Sequence, residues 1–544
     1  IREDTKEDIL TIKIEDNGCG KLADFTTKAL NEIKNLGATH IWYTGVIEHA
    51  TQTNYSRYGI RPDHPAVVKG KAGSPYAIKD YYDVDPDMAN SIPDRMKEFE
   101  NLVKRSHKAG LKVIIDFVPN HVARQYHSDA KPEGVIDLGE NDDKTVAFSA
   151  QNNFYYIPGQ ELQGDIDLHM NAPEAYVENP AKATGNDKFD AWLGINDWYE
   201  TVKLNYGVDY MNWRIGHFDP IPDTWNKMLD ILLFWASKEI DGFRCDMAEM
   251  VPVEFWGWAI PQVKEQYPHI IFIAEVYNPN EYRNYIWGGK FDYLYDKVGL
   301  YDTLKAVTCY GHSASAITGC WQSLEGIQMN MLNFLENHDE QRFASDFFGK
   351  DAHNTFAPLY VSLFLNTAPF MIYFGEEVGE KGMYEEGFSG KDGRTTIFDW
   401  WSVGSVRRLR KVIESGAYKS MDVKELTKAG LKKEEAEVFV RFAEAIRFAS
   451  EDLAITKGTT YDLCYCNLSS DGFDKNRHFA FLRDFEDHTV LVASNFSNRE
   501  VTMKLVIPEH AFEWMEIPIT EEMHPGKIIE VKVGPMDGKK VVLI

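Results

Sequence analysis

The sequence predicts an α/β fold: a (β/α)8 TIM barrel with an inserted subdomain after the third strand and a C-terminal antiparallel β-domain. Three observations carry that prediction. Short apolar strands alternate with amphipathic helices over the first two-thirds of the chain, which is the rhythm of repeated βα units. Four segments in order, Ile114–His121 (IIDFVPNH), Gly242–Asp246 (GFRCD), Ile271–Glu275 (IFIAE) and Phe334–Asp339 (FLENHD), are apolar runs that stop at carboxylates or amides. Barrels carry their chemistry on strand C-terminal ends, and such an abrupt stop is what that rim looks like in sequence. Finally, the last stretch of the chain switches to period-two alternation with turn residues between runs.

Taken in order, Phe25–Leu36 has apolar residues at helical spacing and stops at Gly37, a C-terminal cap. The strand His40–Tyr43 follows. Ile92–Ala109 reads as a helix with Pro93 near its start and Gly110 after its end, and Lys112–Phe117 as a strand apolar on both faces. The rhythm returns with helix Thr224–Glu239, strand Gly242–Asp246, helix Val253–Gln266 and strand Ile270–Glu275. Weaker strands are expected at Phe291–Tyr295, Met331–Glu336 and Phe370–Phe374. For the first barrel strand Ile9–Ile14 is the sole candidate; otherwise that strand lies upstream of this chain.

Val122–Phe218 breaks the rhythm. It is polar, rich in Asn, Asp, Gly and Tyr, and too long for a structureless loop, so it reads as an inserted subdomain. After helix Lys432–Ser450, strands are expected at His478–Phe485, Thr489–Phe496, Thr502–Ile507 and Lys527–Val533. The division that follows is a barrel of residues 1–121 and 219–454, an insertion of 122–218 and a β-sandwich of 455–544.

Composition narrows the function. At 544 residues the chain exceeds one compact core. A net charge of −26, from 84 acidic and 58 basic residues, disfavours a nucleic-acid surface, which needs clustered positive charge. No apolar run is long enough to span a bilayer. The 13 Trp and 27 Tyr serve mostly the core, but flat faces also suit sugar rings. The six cysteines form no metal-ligand or redox pattern; Cys464 and Cys466 suit one strand face, and Cys309 and Cys320 read as free thiols rather than a bridge. Oligomeric state is open. So is the compartment, with a secreted or periplasmic site favoured over a cytoplasmic one.

Arg244 and Asp246 are two apart on one strand and point the same way, so the arginine is expected to lower that carboxylate's pKa, which suits a nucleophile. Glu275 closes the next strand. Near an anionic Asp and partly desolvated, it is expected to have the raised pKa of a general acid. Asp339 supplies a third acid beside His338.

These four segments resemble the successive signature regions of the α-amylase family of glycoside hydrolases, in the right order and over nearly the whole chain. The resemblance implies Asp246 as nucleophile, Glu275 as acid/base and Asp339 as transition-state stabiliser. It implies that Arg244 orients the nucleophile and that His121 and His338 bind hydroxyls of the sugar at the cleaved position. In Ser74–Asp87 (SPYAIKDYYDVDPD), Tyr76 would stack on the sugar ring and Asp80 would be structural. Asn120 and Asp167 fall where the family has calcium ligands, so Ca2+ is a candidate cofactor. Two residues fall short of the six to eight ligands that ion takes, however, and Asn120 also reads as a loop brace. The loop Asp16–Lys21 lacks the full acidic pattern of the family's other calcium site. Many amylases have Lys-His where this chain has Glu249 and Met250, so binding on the leaving-group side must differ. Family exo-glucosidases have an Asp after the tyrosine, where this chain has Ala77, which tilts the reading toward internal cleavage.

The expectation is an enzyme, a retaining endo-type hydrolase of α-1,4-glucosidic bonds in starch, glycogen or maltodextrins. A glucanotransferase or a trehalose-synthase-like isomerase would use the same covalent intermediate. A non-catalytic glucan-binding protein is the third reading, disfavoured because such a protein has no reason to keep all three acids.

Overall fold

A computed structural model of the chain describes residues 11–15, 20–382, 391–400 and 403–544. Eight parallel strands close into a barrel: β1 (Thr11–Glu15), β2 (His40–Tyr43), β3 (Lys112–Phe117), β4 (Gly242–Cys245), β5 (Ile271–Ala274), β6 (Tyr293–Tyr295), β7 (Met331–Phe334) and β8 (Phe370–Tyr373). Each strand lies beside its neighbours in sequence. β1 completes the ring by pairing Ile12 with His40 on one side and with Met371 on the other. Of the expected first strand Ile9–Ile14, residues 11–14 lie in β1, and residues 9 and 10 lie outside the described part of the chain.

Strands β2 to β8 are buried along most of their length because helices cover the outside of the ring. α1 (Thr27–Leu36) starts where the Thr26 hydroxyl accepts Ala29 N–H at 3.3 Å, and stops at Gly37, whose φ of 112° is left-handed. α2 (Arg95–Lys108) is shorter than the expected Ile92–Ala109, because Ile92–Asp94 forms a separate 3-10 turn. The Glu98 carboxylate holds that entry by accepting Asn90 and Ser91 N–H at 2.9 and 2.7 Å. α3 (Asp223–Ala236) and α4 (Val253–Gln266) flank β4. Gly242 opens that strand where a Cβ would stand 2.7 Å from the Ile271 side chain, so the close approach of β4 and β5 rests on a bare backbone.

The insertion between β3 and α3 contains no α-helix. It is built from short strand pairs, of which His121–Ala123 with Thr201–Lys203 forms its base. At the C-terminal end, β9 (Thr459–Asp462), β10 (His478–Phe485), β11 (His488–Asn495) and β14 (Asp537–Val542) make a four-stranded antiparallel sheet, and β12 (Val501–Val506) pairs with β13 (Ile528–Val533). β9 and β14 were not anticipated; both are short or Lys-rich edge strands with little apolar signal. Cys464 and Cys466 belong to a 3-10 turn after β9 rather than to a strand, and the five described cysteines are unpaired. Barrel and β-domain share one apolar core, which runs from Phe370 and Phe364 to Phe481 and Val492. Arg483 of β10 pins the junction by donating to the carbonyls of Leu365, Ala454, Ile455 and Gly458 at 2.8 to 3.1 Å.

Candidate active site

Asp246 and Glu275 are the first residues past β4 and β5, and the two strands run in step there. Cys245 pairs with Ala274, and Glu275 N–H donates to Cys245 O at 3.1 Å. The buried Arg244 guanidinium joins both acids: Nη1 lies 2.7 Å from Asp246 Oδ1, and Nη2 lies 2.9 Å from Glu275 Oε2. One planar cation therefore holds the two carboxyls side by side. Nη1 is also 3.5 Å from Asp116 Oδ1, and Nε donates to the Tyr295 hydroxyl at 3.1 Å. Glu275 Oε2 accepts Met247 N–H at 2.8 Å, and Oε1 accepts the Tyr277 hydroxyl at 2.5 Å. Asp339 comes from the loop after β7. Its Oδ2 is 3.1 Å from His338 Nε2, 45% of its side chain is open to solvent, and its charge acts on both Asp246 and Tyr277.

Burial pushes the Asp246 carboxyl well above the usual range; Arg244 opposes this and the negative charge of Glu275 adds to it. The lowered pKa expected from the Arg-x-Asp spacing is thus reversed. The reason is stoichiometric: Asp116, Asp246 and Glu275 are all buried around one guanidinium, which cannot neutralise three carboxylates. Asp116 is raised by burial too. Asp339 goes the other way. The surrounding protein withholds some water from its charge despite its partial exposure, but His338, followed by Arg244 and Arg394, holds it at about 2. His338 in turn is raised, because Asp339 outweighs the burial that disfavours its cation.

The other anticipated residues divide into two groups. Tyr76 stacks on His338 with ring centres 5.1 Å apart and planes at 20°, and its hydroxyl lies 3.5 Å from Asp116 Oδ1, so both rings border the Arg244 cluster. His121 sits at the base of the insertion, its ring 5.4 Å from Trp198, and burial lowers it to about 3, a neutral imidazole. Sequence reading missed Trp42, Tyr277 and Tyr295, and did not single out Asp116. Trp42 Nε1 donates to Asp116 Oδ2 at 3.0 Å. Asp116 stood inside the quoted IIDFVPNH segment. Tyr277 lies two residues past Glu275, a spacing that brings side chains to one side of an extended chain.

The expected calcium ligands are not brought together. Asn120 Oδ1 accepts from the Lys203 ammonium at 2.6 Å, and the Asn120 amide donates to Gly185 O at 2.8 Å. Lys203, with 2% of its side chain exposed, also lies 2.6 Å from Asp187 Oδ1. A cation is therefore built into that pocket and repels a second one. Asp167 is exposed and closes a local turn by accepting His169 N–H at 3.0 Å. These donors do not fit a calcium ion, which corrects that expectation. Carboxyls do gather elsewhere: Glu48, Asp80 and Asp83 each offer an oxygen within 4.8 Å of the others. That is a partial donor set, three where calcium takes about six to eight. Asp80 already accepts from Tyr82 N–H, the Ser128 hydroxyl and Ala130 N–H, in keeping with a structural role, and Arg95 pairs with Asp83. Burial, then the two aspartates, pushes Glu48 to about 9, so it keeps a proton.

Comparison with known proteins bears on the whole barrel. The family described as "Alpha amylase, catalytic domain" matches residues 11–435. Neopullulanase 2 of Thermoactinomyces vulgaris is 22% identical over 465 residues, 84% of this chain and 63% of that protein. Alpha-amylase MalA of Haloarcula japonica is 25% identical over 369 residues, 67% of this chain and 42% of that protein. The chain thus spans less than two-thirds of the length of these relatives. Among solved structures, the α-amylase from Geobacillus thermoleovorans complexed with acarbose shares the fold at a TM-score of 0.60 and 17% identity, over 100% of this chain and 99% of that one. The cyclic α-maltosyl-(1→6)-maltose hydrolase from Arthrobacter globiformis does so at 0.60 and 17%, over 98% of each chain. With the family match running from β1 through residue 435, this chain belongs to the α-amylase family.

Proposed function

We propose that this protein hydrolyses α-1,4-glucosidic bonds of starch, glycogen or maltodextrins with retention of configuration, cutting within chains. The observation that carries this reading is the bridging of Asp246 and Glu275 by one guanidinium. A retaining mechanism needs the two carboxyls roughly 5 Å apart, and neighbouring nitrogens of one planar group favour such a short spacing. Glu275 gives its proton to the glycosidic oxygen while an Asp246 oxygen bonds to the anomeric carbon and the leaving chain departs. Water, deprotonated by Glu275, then attacks that carbon and frees Asp246. Asp339, held ionised by His338, faces the positive charge that develops on the ring. Tyr76 and His338, stacked on each other, border the pocket in which the sugar would sit.

Internal cleavage is supported by Ala77, which packs with Ala50, Val68 and Ala123 and offers no polar group to a chain end. A glucanotransferase is the second reading. One relative, 23% identical over 269 residues, is named an alpha-1,4-glucan:maltose-1-phosphate maltosyltransferase, and a sugar hydroxyl competes with water for the same intermediate. Product profiles on starch, pullulan and maltotetraose test the choice. Early release of mixed short maltodextrins from starch is expected. Products longer than maltotetraose would move the assignment to a transferase, and release of single sugars alone would remove internal cleavage.

A further inference from the structure

A second buried guanidinium lies behind the rim, and none of the proposed steps uses it. Arg342 stands in the loop after β7 and is fully buried. Its Nη1 donates to Glu336 Oε2 at 3.0 Å and to Phe374 O, just past β8, at 2.7 Å; its Nε donates to Thr395 Oγ1 at 2.9 Å. Its backbone N–H donates to Gly393 O at 2.7 Å. The guanidinium carbon also lies 4.0 Å from the centre of the Tyr373 ring and 4.7 Å from that of Phe374. One side chain thus ties together the loop after β7, the end of β8 and the segment Gly393–Thr395.

Two of these stretches carry charges that meet at the rim. Glu336 closes the loop that has His338 and Asp339 at its tip: Oε2 takes the Arg342 guanidinium, and Oε1 accepts Phe343 N–H at 2.6 Å. Inside that loop, Asn337 Oδ1 accepts Asp339 and Glu340 N–H, both at 2.9 Å. Arg394, whose charge acts on Asp339, sits between the two residues that Arg342 holds. The close approach of that segment needs a bare backbone, since a Cβ on left-handed Gly393 would stand 2.8 Å from the Phe347 ring.

Asp246 and Glu275 are held by Arg244 at their strand ends, whereas Asp339 stands on a loop with 45% of its side chain open to solvent. Its place relative to the other two acids therefore depends on what braces that loop. A buried ion pair is a weak source of stability, because removing both charges from water costs about as much as their attraction returns; what it supplies is fixed geometry.

We propose that Arg342, through its pair with Glu336, is a positioning residue that holds Asp339 in register with Asp246 and Glu275. The role rests on the glucan-hydrolase reading and deepens it, by assigning the support of the third acid to a group that touches no substrate.

The test is steady-state kinetics on maltoheptaose. Arg342→Met alone would strand Glu336 as an unpaired buried carboxyl, so the variant of choice is Glu336→Leu/Arg342→Met, which replaces the pair by apolar side chains and is expected to keep a Tm near that of the parent. Its kcat is expected to fall by about 10- to 100-fold while KM stays within about threefold. In an Asp339→Asn background the same pair of substitutions is expected to cost less than about threefold in kcat, because the group it positions is already gone. Arg342→Lys keeps the charge but not the planar fork, and is expected to show the same kcat loss in folded protein. Undiminished kcat in either folded variant, or a loss that persists in full beside Asp339→Asn, overturns the proposal. Failure of the parent protein to cleave maltoheptaose would instead overturn the glucan-hydrolase reading on which it stands.

Discussion

Replacing Glu275 by Gln isolates the proton donor from the scaffold around it. The glutamine carbonyl can keep the Met247 N–H and the Arg244 contact, now at 2.8 and 2.9 Å, while its amide turns to the Tyr277 hydroxyl, which rotates to accept. The fold therefore loses one ionic contact and little else. A positioned general acid contributes about 10²–10⁴ in rate, or roughly 3–5.5 kcal/mol of barrier. That contribution vanishes for a leaving group that departs without a proton. Steady-state kinetics on starch and on α-glucosyl fluoride separate the two cases. We expect kcat on starch to fall by about 10²–10⁴ and kcat on the fluoride to stay within about tenfold. Equal losses on both substrates would refute the acid role of Glu275.

Other expectations follow from the same structure. The proposed mechanism needs Asp246 ionised, and burial has raised it, so the acidic limb of kcat/KM is expected above the range of an ordinary carboxylate, with activity lost as pH falls through it; a limb at or below about 4 contradicts the direction. Glu48 has its usual value of 4.5 in the unfolded chain and about 9 in the folded one, so its contribution to stability is fully present below 4.5 and is lost as pH rises toward 9. Glu48→Gln is expected to flatten that loss, up to about 1.4 kcal/mol per pH unit, and to raise Tm at pH 8; an unchanged pH profile of Tm counts against a neutral Glu48. Lys203→Met removes the cation between Asn120 and Asp187 and is expected to cost about 3 kcal/mol, read from denaturant unfolding. Dialysis of the parent protein against a chelator is expected to leave Tm unchanged, whereas a fall reversed by calcium and abolished by Asp80→Asn would place an ion at the Glu48–Asp80–Asp83 trio.

Rim acids were legible in the sequence because a short, largely apolar strand ending in a carboxylate is a one-dimensional signal; β5 with Glu275 shows it plainly, and β4 with Asp246 shows it apart from Arg244. The first strand was legible over residues 11–14, although Thr11–Glu15 alternates polar and apolar residues, unlike the all-apolar Phe370–Tyr373 beside it. What stayed hidden depends on distance along the chain. Lys203 is 83 residues from Asn120, so no local pattern says that an ammonium fills that pocket. The spacing of Arg244 and Asp246 shows their contact but not the competing burial of Asp116 and Glu275, and so it gave the wrong sign for the pKa.

Mass spectrometry of peptides from protein treated with a 5-fluoro-α-glucosyl fluoride, which stalls the second step, tests the covalent intermediate directly. The 5-fluoroglucosyl mass, added as the anomeric fluoride leaves, is predicted on the peptide containing Asp246 and absent from Asp246→Asn protein. A stable label on Asp339 or Glu275, or turnover that never yields a covalent adduct, would contradict the mechanism.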